Sequence, residues 1–243
     1  MRHGASVQAG GRATTYYEQA RPEVAALVPR DCRRVLEVGC GAGNLGALLS
    51  KRGHHVTGLE LVPEIADEAR DRLDSVVTGN VEDGLPFVPG EFDCVLFADV
   101  LEHLVDPWRV LREAAGLLGG DGVVVASVPN VQNLAVLWRL ARGRWDYRER
   151  GILDRGHLRF FTLATLRDLF DQAGLEIVRV EYRYRRSFWR ALLGALTAGR
   201  ARAFFARQYL VVGRRARAGS TRSKSIEDST RPTVAVNGRA HPP

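Results

Sequence analysis

The sequence predicts an α/β fold, a doubly wound and mostly parallel sheet of seven strands with helices on both faces. Three observations predict it. Apolar runs of strand length alternate with stretches of helical periodicity from residue 33 to residue 128. One such run, Val35-Leu36-Glu37-Val38, leads straight into Gly39-Cys40-Gly41-Ala42-Gly43, which reads as a buried strand ending in a tight turn before a helix. Polar residues also recur just past the strand ends, where open sheets of this class bind their ligands.

The elements follow in order. A helix is expected over 16–28, then strand 33–38, helix 43–51, strand 54–60, helix 63–72 and strand 75–79. Strand 92–98, helix 106–118 and strand 122–128 continue the beat. After Pro129-Asn130 the rhythm breaks into an Arg- and aromatic-rich stretch, followed by helix 162–173, which Gly174 closes. Strands 175–184 and 208–213 finish the sheet and flank Phe188 to Phe205, where apolar residues fall at helical spacing with arginines beside them. Residues 1–12 and 216–243 are polar and poor in large apolar side chains, so both are expected to be disordered around a domain at 13–215. Within it, 130–162 reads as an acceptor or lid region and 186–206 as a basic amphipathic insertion.

Composition bounds the function. A chain of 243 residues with 45% hydrophobic content can bury one sizeable core. It has no uncharged apolar stretch of about 18 residues and no signal-peptide apolar region near its start, so a cytoplasmic location is expected. Cys32, Cys40 and Cys94 lie far apart, which predicts reduced thiols, and no metal ligand set is expected. Charge is polarised. Residues 139–159, 183–207 and 214–243 carry +4, +7 and +5, which leaves −9 for the rest of a chain whose net charge is +7. That division suits a cationic cofactor in the acidic part and an anionic acceptor or surface at the basic part. Lys51 and Lys224 are the only lysines among 35 cations, so genome composition is an alternative source of the arginine excess.

Glu37, two residues before the first glycine, selects the cofactor. Gly41, Gly43 and Gly46 with Glu60 satisfy the spacing of a dinucleotide-binding loop. A pyrophosphate would be repelled by a carboxylate at the strand end. S-adenosylmethionine carries an ammonium and a sulfonium and no phosphate, so Glu37 points to a methyl donor. Glu60 ends the second strand, where a carboxylate can accept both hydroxyls of a ribose. Asn80, Val81 and Glu82 follow the third strand and can meet an adenine, and Asp99 and His103 follow the fourth at the pocket mouth.

These residues together resemble a class I S-adenosylmethionine-dependent methyltransferase of the group with a Glu-His-Leu signature, here Glu102-His103-Leu104, over roughly residues 30–185. The resemblance implies a Rossmann-like sheet whose last strand is antiparallel. It also implies a cofactor site of Glu37, Gly39, Cys40, Gly41, Gly43, Glu60, Leu61, Asn80, Val81, Glu82, Asp99 and Val100. The chain departs from the pattern at Asn80, where Asp is usual, and at Gly119-Gly120-Asp121-Gly122, where Pro-Gly-Gly is usual.

Leu153-Asp154-Arg155-Gly156-His157-Leu158-Arg159-Phe160-Phe161-Thr162 resembles the acceptor region of methyltransferases of bacterial surface-glycan and natural-product pathways. A hydroxyl acceptor on a small molecule, glycan or lipid-linked intermediate is therefore expected. A histidine is its natural base. His157 is read as base or acceptor ligand, with a structural role open; His103 is read as base or as a loop-positioning group. Trp138, Trp145 and Tyr147 among arginines form either a lid over a sugar or phosphate-bearing acceptor, or a helix packed on the sheet. Residues 186–206 either contact an anionic membrane or cap the sheet. Nucleic acid is not expected, because Ala98-Asp99-Val100-Leu101 stands where a DNA amino-methylating enzyme resembles Asn/Asp-Pro-Pro-Tyr. Two alternatives stay open: an NAD(P)-dependent oxidoreductase and a non-catalytic S-adenosylmethionine-binding protein. Oligomeric state is not legible.

Overall fold

Strand ends decide where a ligand can sit, so the sheet comes first. The structure, a computed structural model, describes residues 20–184 and 202–216. The readings for residues 1–12, the start of the 16–28 helix, most of 186–206 and the tail past residue 216 lie outside the described residues. The strands are β1 (Arg34–Val38), β2 (His55–Glu60), β3 (Ser75–Thr78), β4 (Phe92–Ala98), β5 (Leu118–Pro129), β6 (Leu175–Arg183) and β7 (Gln208–Arg215). They form one sheet in the order β3-β2-β1-β4-β5-β7-β6. β1 to β5 pair in parallel, and β7 is antiparallel to both neighbours, so the last strand alone runs against the rest, as expected.

Alternation along the strands builds two cores. Helices α1 (Pro22–Ala25), α2 (Asn44–Ser50) and α3 (Pro63–Arg70) cover one face; α4 (Pro107–Gly116) and α6 (Leu163–Gln172) cover the other, while α5 (Leu134–Leu140) and α7 (Arg202–Phe205) lie in the later connections. Val35, Cys94, Leu96, Val125, Leu210 and Val212 pack with Val24, Leu27, Leu45 and Leu49 on the first face. Their sequence neighbours Leu36, Val95, Phe97, Val124, Ala126 and Val211 pack with Val110, Leu111, Leu166, Leu169 and Phe170 on the second. Consecutive residues of a strand point to opposite faces, so a run buried on both sides must be apolar throughout.

Three elements differ from expectation. α1 spans only Pro22–Ala25 of the described part of 16–28, and Pro22 sets its first turn before the chain turns towards Pro29. β5 starts at Leu118 rather than 122: Leu118 pairs with Phe92, and the register shifts before Cys94 pairs with Val123. Gly119-Gly120-Asp121-Gly122 is thus an irregularity within the strand, where a Cβ on Gly122 would lie 2.8 Å from the Gly119 carbonyl oxygen. α5 occupies the start of the lid region, capped by Asn133, whose Oδ1 accepts from the Ala135 amide at 3.1 Å.

β1 lies between β2 and β4, so the crevice past the ends of β1 and β4 is the point where strand order reverses and ligands bind in such sheets. The sheet itself depends on close helix contact at β7, where a Cβ on Gly213 would lie 2.6 Å from Cδ1 of the fully buried Phe170. Gly213→Ala is therefore expected to destabilise the fold by about 1–3 kcal/mol, read as a fall of several degrees in a thermal melt. An unchanged melt would show that Phe170 has room to move.

Candidate active site

The turn after β1 is shaped by its glycines. Gly39, Gly41 and Gly43 all have positive φ, +67°, +54° and +79°, which side chains disfavour. A Cβ on Gly39 would lie 2.8 Å from Cγ2 of Val100, so the glycine also lets the loop lie against the exit of β4. The amides of Gly39 and Cys40 donate to the Leu59 carbonyl at 2.8 and 3.2 Å, tying the loop to β2.

A cavity of about 400 Å³ opens over this loop. Of the residues expected to hold a cofactor, Glu37, Gly39, Cys40, Gly41, Glu60, Leu61, Asp99 and Val100 line it, and His103 lies at its edge. Glu60, 5% exposed, accepts from the Gly41 amide at 2.9 Å through one oxygen and from the Val62 amide at 3.0 Å through the other. Each oxygen keeps a second lone pair for a ligand hydroxyl. Glu37 is 2% exposed, and its Oε2 has no hydrogen-bond partner among the described residues. Burial pushes its carboxyl up to about 8, with repulsion from Glu60 adding to the effect and the Gly46 amide opposing it.

The cavity does not gather every expected residue. Gly43 and the segment Asn80-Val81-Glu82 lie outside its lining. Their polar groups serve the scaffold. Asn80 Oδ1 caps the short turn that follows it by accepting from the Glu82 amide at 3.0 Å, and Val81 is buried in the core. Glu82 Oε1 accepts from the Asp106 amide at 2.9 Å and so anchors the start of α4.

Asp99 carries a fixed charge rather than a waiting one. Its φ of +58° is unusual for a residue with a side chain. Arg21 donates to its Oδ2, while Ser127 Oγ and Gln208 Nε2 donate to its Oδ1 at 2.8 and 3.0 Å. Sequence reasoning missed Arg21, Ser127 and Gln208. Ser127 near the end of β5 was within reach of the strand-end rule, whereas nothing local marks Arg21 as the partner of a carboxylate 78 residues away.

A second cavity of about 330 Å³ adjoins the first and shares Asp99 and Asp154 with it. His157 lines it, together with Arg150, Arg183 and Arg207. The His103 and His157 rings stand 4.8 Å apart at 73°. His103 Nδ1 lies 3.0 Å from the Gly156 carbonyl, and His157 Nδ1 lies 3.0 Å from the Ile152 carbonyl. A carbonyl only accepts, so Nδ1 carries the proton in each ring and the neutral imidazole keeps its lone pair on Nε2. Burial pushes the His103 imidazole down, and the neighbouring His157 adds to that. Glu102, next to His103 in sequence, is 1% exposed, and neither carboxyl oxygen has a hydrogen-bond partner among the described residues. Its backbone carbonyl accepts from the Leu158 and Arg159 amides at 2.8 and 2.9 Å, which fixes the His157 loop against the exit of β4.

The lid aromatics divide. Trp145 stacks edge-on against Phe160 at 5.1 Å, beside the histidine pair. Trp138 is 57% exposed on α5 with the Arg142 guanidinium over its ring at 4.2 Å, and it does not pack on the sheet. Tyr147 is exposed.

Known proteins share this architecture. Residues 12–180 match the family model described as a methyltransferase domain. Ubiquinone biosynthesis O-methyltransferase of Xanthomonas campestris is 39% identical over 113 residues, 44% of this chain and 47% of that protein. The Aeromonas salmonicida protein of the same name is 30% identical over 151 residues, 59% and 63% of the two chains. The chain thus spans about half the length of these curated relatives. An S-adenosylmethionine-dependent methyltransferase from Archaeoglobus fulgidus superposes with a TM-score of 0.61 at 19% identity, covering 84% of this chain and all of that one. A Mesorhizobium loti structure of the same description gives 0.58 at 19% identity over 80% and 96%. These structures share its fold. With seven-tenths of its length inside the family model, and the glycine loop, strand order and paired cavities in place, the chain belongs to the methyltransferase-domain family.

Proposed function

We propose that the chain transfers a methyl group from S-adenosylmethionine to a hydroxyl of a small molecule or glycan, by in-line displacement. The observation that carries this reading is the pair of adjoining cavities, one acidic over the glycine loop and one lined by arginines, which meet at His103 and His157. The family match and the O-methyltransferase names of the relatives support it.

The residues fit the donor. Glu37 is a buried carboxylate with an orphaned oxygen, and a cation beside it would supply the charge that the protein does not. Glu60 adds a second carboxylate with lone pairs to spare for a ribose. S-adenosylmethionine supplies an electrophilic methyl on a sulfonium. The oxygen–carbon bond forms as the carbon–sulfur bond breaks, S-adenosylhomocysteine leaves, and the hydroxyl proton passes to a group on the acceptor side. The loop and strand ends hold donor and acceptor in line, which can supply about 7–11 kcal/mol of the barrier. His157 faces the acceptor cavity with its Nε2 lone pair and is the residue placed to engage the hydroxyl.

Arg150, Arg183 and Arg207 support an anionic acceptor, since guanidinium pairs with phosphate and carboxylate. The arginine-only charge of residues 183–207 extends the same reading to peripheral contact with an anionic membrane and a lipid-linked acceptor, at work in the cytoplasm. Among the described residues no helix is long and apolar enough to cross a membrane.

Glu37 sets one stability against one affinity. Its folded carboxyl titrates near 8 and its unfolded one near 4.5, so between those values the unfolded chain loses a proton that the folded chain keeps. Stability falls as pH rises through that window. Glu37→Gln removes the effect: its melting temperature should exceed that of the parent by a margin that widens from pH 5 to pH 8, and a constant margin would show the carboxyl already ionised when folded. The same variant, and Glu60→Ala, should weaken calorimetric S-adenosylhomocysteine binding by about 10-fold or more. Retained affinity in both, or tight NAD binding instead, would remove the charge argument. Once screening of hydroxylated sugars, lipid-linked intermediates and phenols with labelled methyl donor yields an acceptor, His157→Ala should lower kcat by about 100-fold or more while S-adenosylhomocysteine affinity holds. An unchanged rate would place the acceptor chemistry elsewhere.

A further inference from the structure

The cavity that His157 lines does not end at its arginines. It shares Arg150, Gly151, Ile152 and Arg207 with a further cavity of about 210 Å³, to which α5 adds Arg139 and the lid region adds Arg148. Arg139, Arg148, Arg150 and Arg207 thus line one small space, and among the described residues no carboxylate lines it with them. Cations gathered without a counter-charge repel one another, so the space favours a ligand that brings more than one negative charge. We propose that this cavity holds the diphosphate of an amphiphilic acceptor, whose hydroxylated head group lies in the cavity of His157 and whose far end is a hydrocarbon tail.

The two neighbours of the arginine cavity set that order. On one side the cavity of His157 leads back, through Asp99 and Asp154, to the donor cavity. On the other the arginine cavity shares Asn133 and Ala135 with an apolar groove of about 480 Å³, lined also by Leu134, Trp138, Phe204 and Phe205. Leu134 and Trp138 are 50% and 57% exposed there, and a hydrocarbon chain laid over them would take that surface out of water. The Asn133 amide is already engaged: Nδ2 donates to the Ala206 carbonyl at 2.8 Å, and Oδ1 accepts from the Ala135 amide at 3.1 Å. A nucleobase would therefore meet aliphatic and aromatic carbon and, among the described lining residues, no carboxylate or open side-chain amide to read its edge. That favours a prenyl or alkyl tail over a nucleoside. The wall is braced, since Asn130 Nδ2 also donates to the Ala203 and Ala206 carbonyls at 2.6 and 3.0 Å and so ties the entry of α5 to α7.

The task of this subsite rests on the methyl-transfer reading above. Guanidinium groups pair with phosphate oxygens through parallel N–H donors, which fixes orientation as well as charge. A diphosphate held by Arg139, Arg148 and Arg207 would anchor the acceptor one cavity away from the reacting oxygen and touch neither His157 nor the donor. The anchor would serve alignment, on which an in-line displacement depends. Neutral phenols and free sugars lack this handle, so the arginine cavity selects for a phosphorylated acceptor.

Calorimetric titration of the full-length protein with farnesyl diphosphate should show saturable binding, tighter than that of uridine diphosphate or inorganic pyrophosphate. Arg139→Gln and Arg148→Gln should each weaken it by about 10-fold or more, whereas Arg112→Gln, exposed on α4 and outside these cavities, should leave it as in the parent. Trp138→Ala should weaken farnesyl diphosphate by about 5-fold or more and leave pyrophosphate unchanged. Circular dichroism checks the fold of each variant, and if one arginine variant does not fold the other decides. Absence of saturable farnesyl diphosphate binding at about 1 mM, or equal binding by the parent and the arginine variants, would overturn the diphosphate subsite. Uridine diphosphate or pyrophosphate bound as tightly as farnesyl diphosphate would overturn the hydrocarbon tail. S-adenosylhomocysteine titration reads the methyltransferase assignment separately, so failure of one leaves the other standing.

Discussion

Carboxylates crowded at one edge of a sheet need positive partners, and the ways this protein supplies or withholds them organise its whole upper surface. Glu37, Glu60, Asp99 and Glu102 all lie at the carboxyl ends of β1, β2 and β4 or just beyond, and three of the four are almost fully buried. Glu60 is satisfied by two loop amides. Asp99 is satisfied by Arg21, Ser127 and Gln208. Glu37 and Glu102 keep orphaned oxygens among the described residues. The first two are therefore anchored by the fold, and burial pushes the carboxyls of the second two above the usual carboxylate range. Glu37 lines the cavity over the glycine loop and Glu102 the adjoining arginine-lined cavity, so each cavity holds one of them.

The scaffold that bears this strain is conventional in its physics. Strands apolar on both sides place the acids at their ends, because within the sheet a charge would have no solvent and no partner. Satisfying Asp99 draws on three distant parts of the chain, Arg21 ahead of α1, Ser127 in β5 and Gln208 at the start of β7. Those contacts close the site from the side of the last strand. Arg21 also meets Glu23, which in turn meets Arg183 at 3.1 Å, so the charge network runs from the first described helix to the end of β6.

Much of this was legible in the sequence, and what was not has a physical reason. The strands were readable because continuous apolar runs have few other uses, and the cavity over Gly39, Gly41, Glu37 and Glu60 follows from a local rule linking strand end to turn. Arg21 was not readable, because a guanidinium that pairs with a carboxylate 78 residues away leaves no local trace. Asn80-Val81-Glu82 is expected at the cofactor from its place after β3, and Asn80 also caps the turn that follows, a local use that position alone does not reveal. The glycines at 119–122 signal a turn in any local reading; only the partner strand shows that they form an irregularity within β5. Glu102 stood within a recognised signature, but its importance comes from burial, which the fold creates.

The charge at the seam closes the argument between the two halves of the chain. The acidic part of the sequence meets the arginine-rich part where Asp99 and Asp154 line both cavities. Asp99 is balanced by Arg21, Asp154 Oδ1 accepts from the Gly156 amide at 2.8 Å, and burial, with repulsion from Asp99, pushes the Glu102 carboxyl well above the usual carboxylate range. The backbone carbonyl of Glu102, which accepts from the Leu158 and Arg159 amides, ties the loop that carries His157 to the exit of β4, so the two cavities share one braced wall.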